Sequence, residues 1–195
     1  MNILLSSKVF VDDIATKKIK HIIEKKFNEL KVLLISTPCI PYGPEKYLNE
    51  LLKCGFKEEN IIIFDYKNVF KYNNLDIDVI YVTGGNTFTG LKLIKECGFD
   101  KEIANYINNN IMYIGRSAGA HLITKNVEHV LEFDSNDVGL SDYNALGIFD
   151  GILICHFDKT REEVYNRLLE NKQYNVYTLT NQELLHITNE RIEKL

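Results

Sequence analysis

The chain alternates two hydrophobic patterns. Short, nearly unbroken apolar runs occupy Asn2 to Ser6, Lys31 to Ser36, Ile61 to Asp65, Ile77 to Val82, Ile111 to Ile114, Gly151 to Cys155, Tyr174 to Leu179 and Leu184 to Thr188, each the length of a strand. Between them lie segments whose apolar residues recur at three- and four-residue spacing. The first carries Ala15, Ile19, Ile22, Ile23, Phe27 and Leu30, with Asp12 or Asp13 as its cap. The second starts with Pro44 in its first turn, runs to about Cys54 and closes on Gly55. FTGLKLIKEC, closed by Gly98, is the third, followed by Asp100 to Asn109 and by Ala118 to about Lys125. The last begins at Thr160, with Glu163 in capping-box spacing and Val164, Tyr165, Leu168 and Leu169 on one face. Apolar runs without alternation, separated by helical patterns, mark parallel strands covered on both faces, which predicts a three-layer α/β/α domain with a mostly parallel sheet.

Two segments depart from this pattern. TPCIPYGPEK holds every proline of the chain and predicts a loop. Asn126 to Phe149 is polar and acidic, with Glu128, Glu132, Asp134, Asp137 and Asp142, and an irregular stretch of that length in a compact domain points to a functional loop or cover. No repeat or linker divides the chain, so residues 1–195 are expected to form one domain.

Composition narrows the partners. A net charge of −4 without a lysine or arginine cluster argues against nucleic acid. No apolar run is long enough to cross a bilayer, and MNILLSSK reads as a first strand rather than a signal peptide, so no membrane partner and a cytoplasmic location are expected. Cys39, Cys54, Cys97 and Cys155 are widely spaced, with no CxxC pair and no histidine cluster, which predicts reduced, packed thiols and neither metal nor cofactor. Monomer and homodimer both remain open.

The chemistry gathers at IMYIGRSAGAHLIT, Ile111 to Thr124. Glycines two before and two after Ser117 give G-x-S-x-G between a strand and a helix, the arrangement of a nucleophile elbow, in which a sharp turn holds the hydroxyl clear of the backbone. A serine needs a base. His21 falls on the polar side of a helix, His129 in the polar loop and His186 inside a strand, while His121 points back along its own helix. His156 ends a strand at the sheet edge where Ser117 sits and is the preferred base. For the group that orients it, the usual α/β-hydrolase order nominates Glu132 or Asp134, whereas the order serine, histidine, orienter nominates Asn181 or Glu183. Gly84-Gly85-Asn86-Thr87, at the end of another strand, places bare amides where open α/β sheets bind ligands, which suits an oxyanion or substrate role. Arg161, a cation in the first turn of a helix, opposes the macrodipole and hints at a carboxylate ligand.

Taken in order, Gly84-Gly85-Asn86-Thr87, Gly115-x-Ser117-Ala118-Gly119-Ala120, His156-Phe157 and Thr160-Arg161-Glu162 make the chain resemble the peptidase E (aspartyl dipeptidase) and cyanophycinase family of serine peptidases. The resemblance implies a fold like that of class I glutamine amidotransferase domains (flavodoxin-like), Ser117 as nucleophile, His156 as base and the amides of Gly85 and Ala118 as the oxyanion hole. It also implies recognition of an acidic side chain by Arg161, and hence small peptides of the Asp-X type as substrates. Two residues depart from the family pattern. Asn181 stands where a triad glutamate is expected, with Glu132 as the acid on an older assignment, and Arg116 is a cation where an uncharged residue is usual. The expected activity is therefore serine-type hydrolysis of small peptides. The alternatives are a catalytically impaired member that binds a small ligand or a protein, and a small acyl hydrolase or esterase.

Overall fold

Apolar runs covered on both faces become the frame of the molecule. The computed structural model describes residues 1–11, 14–37 and 43–195. Its strands are β1 (Asn2–Ser6), β2 (Val32–Ile35), β3 (Ile61–Ile63), β4 (Val79–Val82), β5 (Met112–Arg116), β6 (Ile152–Ile154), β7 (Val176–Thr178), β8 (Leu184–Thr188) and β9 (Ile192–Lys194). The helices are α1 (Ile14–Ile22), α2 (Pro44–Cys54), α3 (Thr87–Glu96), α4 (Asp100–Asn108), α5 (Ala118–Leu122) and α6 (Glu162–Asn171). Seven strands share one sheet in the order β3-β2-β4-β5-β1-β8-β9. The first five are mutually parallel, and β8 and β9 add antiparallel strands beyond β1. β6 and β7 form a separate parallel pair.

The pleat sorts each run onto two faces. Leu4, Leu34, Tyr81 and Ile114 pack against Ala15 and Ile19 of α1 and Tyr47 and Leu51 of α2. Their neighbours Leu5, Leu33, Val82 and Tyr113 pack on the opposite face against Phe88 and Leu91 of α3, Ile103 of α4 and Leu122 of α5, together with Leu153 of β6. The result is the three-layer α/β/α architecture with a mostly parallel sheet. The edge strand β3 is the exception to double burial, since Ile62 and Ile63 remain 37% and 39% exposed. Among the described residues, no helix is long and apolar enough to cross a membrane.

Parallel strands bring their carboxyl ends to one edge. Ser7 follows β1, Thr37 follows β2, Thr83 to Gly85 follow β4 and Ser117 follows β5, so residues far apart in sequence converge there.

Several boundaries shift from the sequence reading. The first helix ends at Ile22, and Phe27 sits in a short 3-10 turn. Its periodic spacing serves an aromatic cluster instead: Phe27 stacks on Phe56 at 4.5 Å and meets Phe10 edge-on at 5.9 Å. The expected Thr160 capping box is replaced by Asp158, whose carboxylate accepts from the Thr160 N–H at 2.9 Å and opens a 3-10 turn ahead of α6. β9, which pairs with β8 across a short turn, has no counterpart among the predicted strands. The Asp12 or Asp13 cap, Cys39 and half of the proline-rich loop, residues 38–42, lie outside the described residues. Because Phe27 is buried between two rings, Phe27→Ala should lower the unfolding free energy by about 3–5 kcal/mol in a urea titration.

Candidate active site

The elbow is built by close approach. A methyl group on Gly119 would lie 2.2 Å from the Val82 carbonyl oxygen, and one on Gly115 would lie 2.7 Å from the Gly119 oxygen, so α5 can seat on β4 and β5 only with glycine at both positions. The turn between strand and helix is then too short for ordinary geometry. Ser117 adopts φ 49° and ψ −110°, a sparsely populated conformation for a residue with a side chain. Its N–H donates to Ser6 O at 2.8 Å, and its carbonyl accepts from the N–H groups of Ala120 and His121 at 2.8 and 3.0 Å. The backbone is thus fixed on both sides, leaving Oγ to project from the strand edge.

His156 comes from the small sheet. It follows β6 with φ 53°, a second left-handed conformation, and its N–H donates to Ser7 Oγ at 2.8 Å. Ser7 Oγ in turn donates to Leu179 O at 2.8 Å, joining the end of β1 to the ends of β6 and β7. In this position Nε2 lies 3.0 Å from Ser117 Oγ and Nδ1 lies 2.7 Å from Asn181 Oδ1. An amide oxygen on that side can only accept, so Nδ1 carries the proton and the Nε2 lone pair faces the serine hydroxyl. Burial depresses the imidazole below its ordinary 6.5, with Arg161 and Arg116 adding to the effect and the Asn181 bond opposing it. The ring is therefore neutral at neutral pH, the form a general base requires.

Beside the serine lies the Gly84-Gly85 turn, close enough that a methyl group on Gly84 would sit 3.5 Å from Ser117 Cβ. The Gly84 carbonyl accepts from Thr37 Oγ1 at 2.6 Å, Tyr47 Oη at 2.7 Å and Thr83 Oγ1 at 2.9 Å. Neither the Gly85 nor the Ala118 N–H has a backbone acceptor among the described residues. An open groove of about 390 Å³ covers this region, lined by Ser117, His156, Asn181, Gly84 and Gly85, with Lys8, Lys46 and Arg116 as its charged residues.

The other sequence candidates are engaged elsewhere. Glu132 pairs with Arg167 on α6, so it does not orient His156, whose Nδ1 is taken by Asn181. Asp134 accepts from the Thr87 N–H at 2.9 Å and caps α3, while Glu183 accepts from the Thr180 N–H at 2.7 Å and pairs with Lys194 at 3.0 Å. Asn86 is the N-cap of α3, accepting from the Thr89 N–H at 2.9 Å and donating to Ser135 O at 2.7 Å. Asn86 and Thr87 therefore tie the acidic loop onto α3. Arg161 donates to Cys155 O at 2.7 Å and lies over the Phe133 ring at 3.9 Å, close to His156 but outside the residues that line the groove. Arg116 donates to Glu50 at 2.7 Å, both side chains being largely buried, so the cation before Ser117 is balanced from within. Among the described residues, no three histidines, cysteines or carboxylates gather as metal ligands.

With this geometry in place, a family model described as peptidase family S51 matches residues 5–195. The chain belongs to peptidase family S51. An uncharacterized peptidase of Listeria monocytogenes is 33% identical over 120 residues, 59% of this chain and 58% of that protein. A peptidase E of Haemophilus influenzae is 31% identical over 126 residues, 58% of this chain and 52% of the relative. The chain thus spans little more than half the length of these curated relatives. A solved structure described as a candidate peptidase E protein from the same Listeria species superposes over 100% of this chain and 97% of its own, with a TM-score of 0.80 and 26% identity.

The S51 chain also uses residues that its sequence did not single out. Ser7, Thr37 and Tyr47 touch the site through backbone groups. The available signal was their position just after a strand or inside the second helix, which reveals no partner. His121, which the sequence named only to set aside as a base, is more revealing. It is buried beneath the elbow, its Nδ1 is 3.3 Å from Thr87 Oγ1, its Nε2 has no partner among the described residues, and its ring meets that of His129 edge-on at 6.0 Å. Burial, then the neighbouring His129, holds it well below the ordinary 6.5, and burial likewise lowers His129. Below that pH the unfolded chain binds protons that the folded chain refuses, so stability is complete above it and falls on acidification. Each such histidine should cost about 1.4 kcal/mol per pH unit below the ordinary value, until its folded pKa is reached. Urea titrations at several pH values should show this slope, and His121→Leu should flatten it.

Proposed function

We propose that this S51 chain is a serine peptidase that cleaves small peptides, Asp-X dipeptides foremost, through an acyl-enzyme on Ser117. The observation that supports it best is the 3.0 Å contact between Ser117 Oγ, held on a strained elbow, and the unprotonated Nε2 of His156. In this reading Oγ attacks the scissile carbonyl carbon while Nε2 takes the hydroxyl proton. The carbonyl oxygen becomes an oxyanion facing the Gly85 and Ala118 amides. Collapse breaks the C–N bond as His156 returns the proton to the leaving amine. Water then enters by the same base and releases the acyl group from Ser117.

Asn181 orients the ring but offers the imidazolium no negative charge, which makes it a weaker partner than a carboxylate. A preference for an acidic substrate draws on Arg161 beside the base and on Lys8 and Lys46 along a groove that no carboxylate lines among the described residues. Arg116 gives less support to a non-catalytic reading than its sequence position suggested, because Glu50 already balances it.

Turnover of Asp-X dipeptides should fall by at least about 10⁴-fold in Ser117→Ala with the melting temperature preserved. Hydrolysis that survives this change sinks the proposal, and failure of a fluorophosphonate to label Ser117 favours a ligand-binding role. Asn181→Ala should reduce kcat by about 100-fold. Since only neutral His156 accepts the proton, kcat/KM should rise with pH along a limb below 6.5. Asn181→Asp should raise kcat and move that limb upward, because a carboxylate favours the imidazolium.

A further inference from the structure

We infer that Thr37, Tyr47 and Thr83 form a clamp on the Gly84 carbonyl that aims the Gly85 amide at the oxyanion, making Thr37 and Tyr47 positioning residues for catalysis. The inference rests on the serine-peptidase reading of Ser117. It starts from the planarity of the peptide: in a trans unit the C=O of one residue and the N–H of the next point in opposite directions, so fixing one aims the other. Gly84 C=O and Gly85 N–H belong to the same unit. Three hydroxyls converge on that carbonyl, Thr37 Oγ1 at 2.6 Å, Tyr47 Oη at 2.7 Å and Thr83 Oγ1 at 2.9 Å.

A carbonyl oxygen has two lone pairs, so three donors leave it little freedom to rotate. The donors come from the end of β2, the first turn of α2 and the end of β4, elements that the core already locks together. Thr83 is itself anchored, because its hydroxyl accepts from the Thr37 N–H at 3.1 Å. Thr37 and Thr83 thus brace each other while both hold Gly84.

The glycine is required for the clamp to close. Gly85 has φ 154°, and a methyl group there would fall 2.3 Å from Thr37 Oγ1 and 2.7 Å from Thr37 O. A side chain at this position would push Thr37 away from the carbonyl it holds. On the opposite side of the peptide, the Gly85 N–H has no backbone acceptor among the described residues, and Gly84 abuts Ser117 Cβ. A donor beside Ser117 with no acceptor among the described residues suits an oxyanion that exists only during reaction, since preorganisation removes the cost of reorienting the dipole.

A test that does not require knowing the substrate is the rate at which a fluorophosphonate labels Ser117 in the full chain, read by mass spectrometry, because that adduct places a tetrahedral oxygen in the same hole. Tyr47→Phe and Thr37→Val should each slow labelling by about 10- to 100-fold, a fraction of what outright loss of a donor costs. Thr37→Ser, which keeps the hydroxyl, should restore it. On Asp-X dipeptides the same variants should lower kcat with KM nearly unchanged, and thermal melting identifies any loss due to misfolding. Wild-type labelling that Tyr47→Phe and Thr37→Val leave unchanged overturns the clamp alone. A folded wild-type chain that the probe does not label overturns the serine-peptidase reading and the clamp with it. Equal losses in Thr37→Ser and Thr37→Val assign Thr37 a packing role and overturn its part in the clamp.

Discussion

The contact on which the site depends is that of Gly119 with the Val82 carbonyl. There is no room for a methyl group between α5 and β4, and Gly115 repeats the condition on β5. A helix seated this close to the sheet leaves the chain too short a path for a relaxed turn, and the strain falls on Ser117. That strain is held by the hydrogen bonds on either side of Ser117, to Ser6 and from the first turn of α5. Burial of the surrounding strands, effectively complete for Leu5, Val82 and Ile114, provides the stability against which a strained residue can persist.

The polar groups around the serine follow a common logic. Glu50 balances the charge of Arg116, while backbone groups around Ser117 are fixed by short side chains from neighbouring strand ends. Ser7 sets the backbone of His156, and Asn181 sets its ring. The acidic loop after the elbow contributes through Asp134 and the acceptor for Asn86, which cap and anchor α3, rather than by supplying an acid to the base.

Most of the frame was legible in the sequence because continuous apolar runs have few other uses than doubly covered strands, and because the elbow needs glycine for steric reasons that leave a local signature. His156 and Asn181 were legible as chain positions at strand ends. Residues whose meaning depends on a distant partner were not. Arg116 looked anomalous until Glu50 stood beside it, and Glu132 looked like an acid for His156 until Arg167 claimed it. Phe27 kept helical spacing by coincidence with its place in an aromatic cluster, since periodicity records burial and not the backbone that achieves it. Thr37 and Tyr47 act through a backbone carbonyl, a kind of contact that no residue-type pattern announces.

The separation of β6 and β7 from the main sheet has a mechanical consequence. Ser117 and His156 belong to different hydrogen-bonded bodies, with the hydroxyl of Ser7 as one bridge between them and apolar packing of Leu153 and Leu179 as another. The distance between Ser117 and His156 is therefore set by these two bridges and not by the hydrogen-bond ladder of a single sheet.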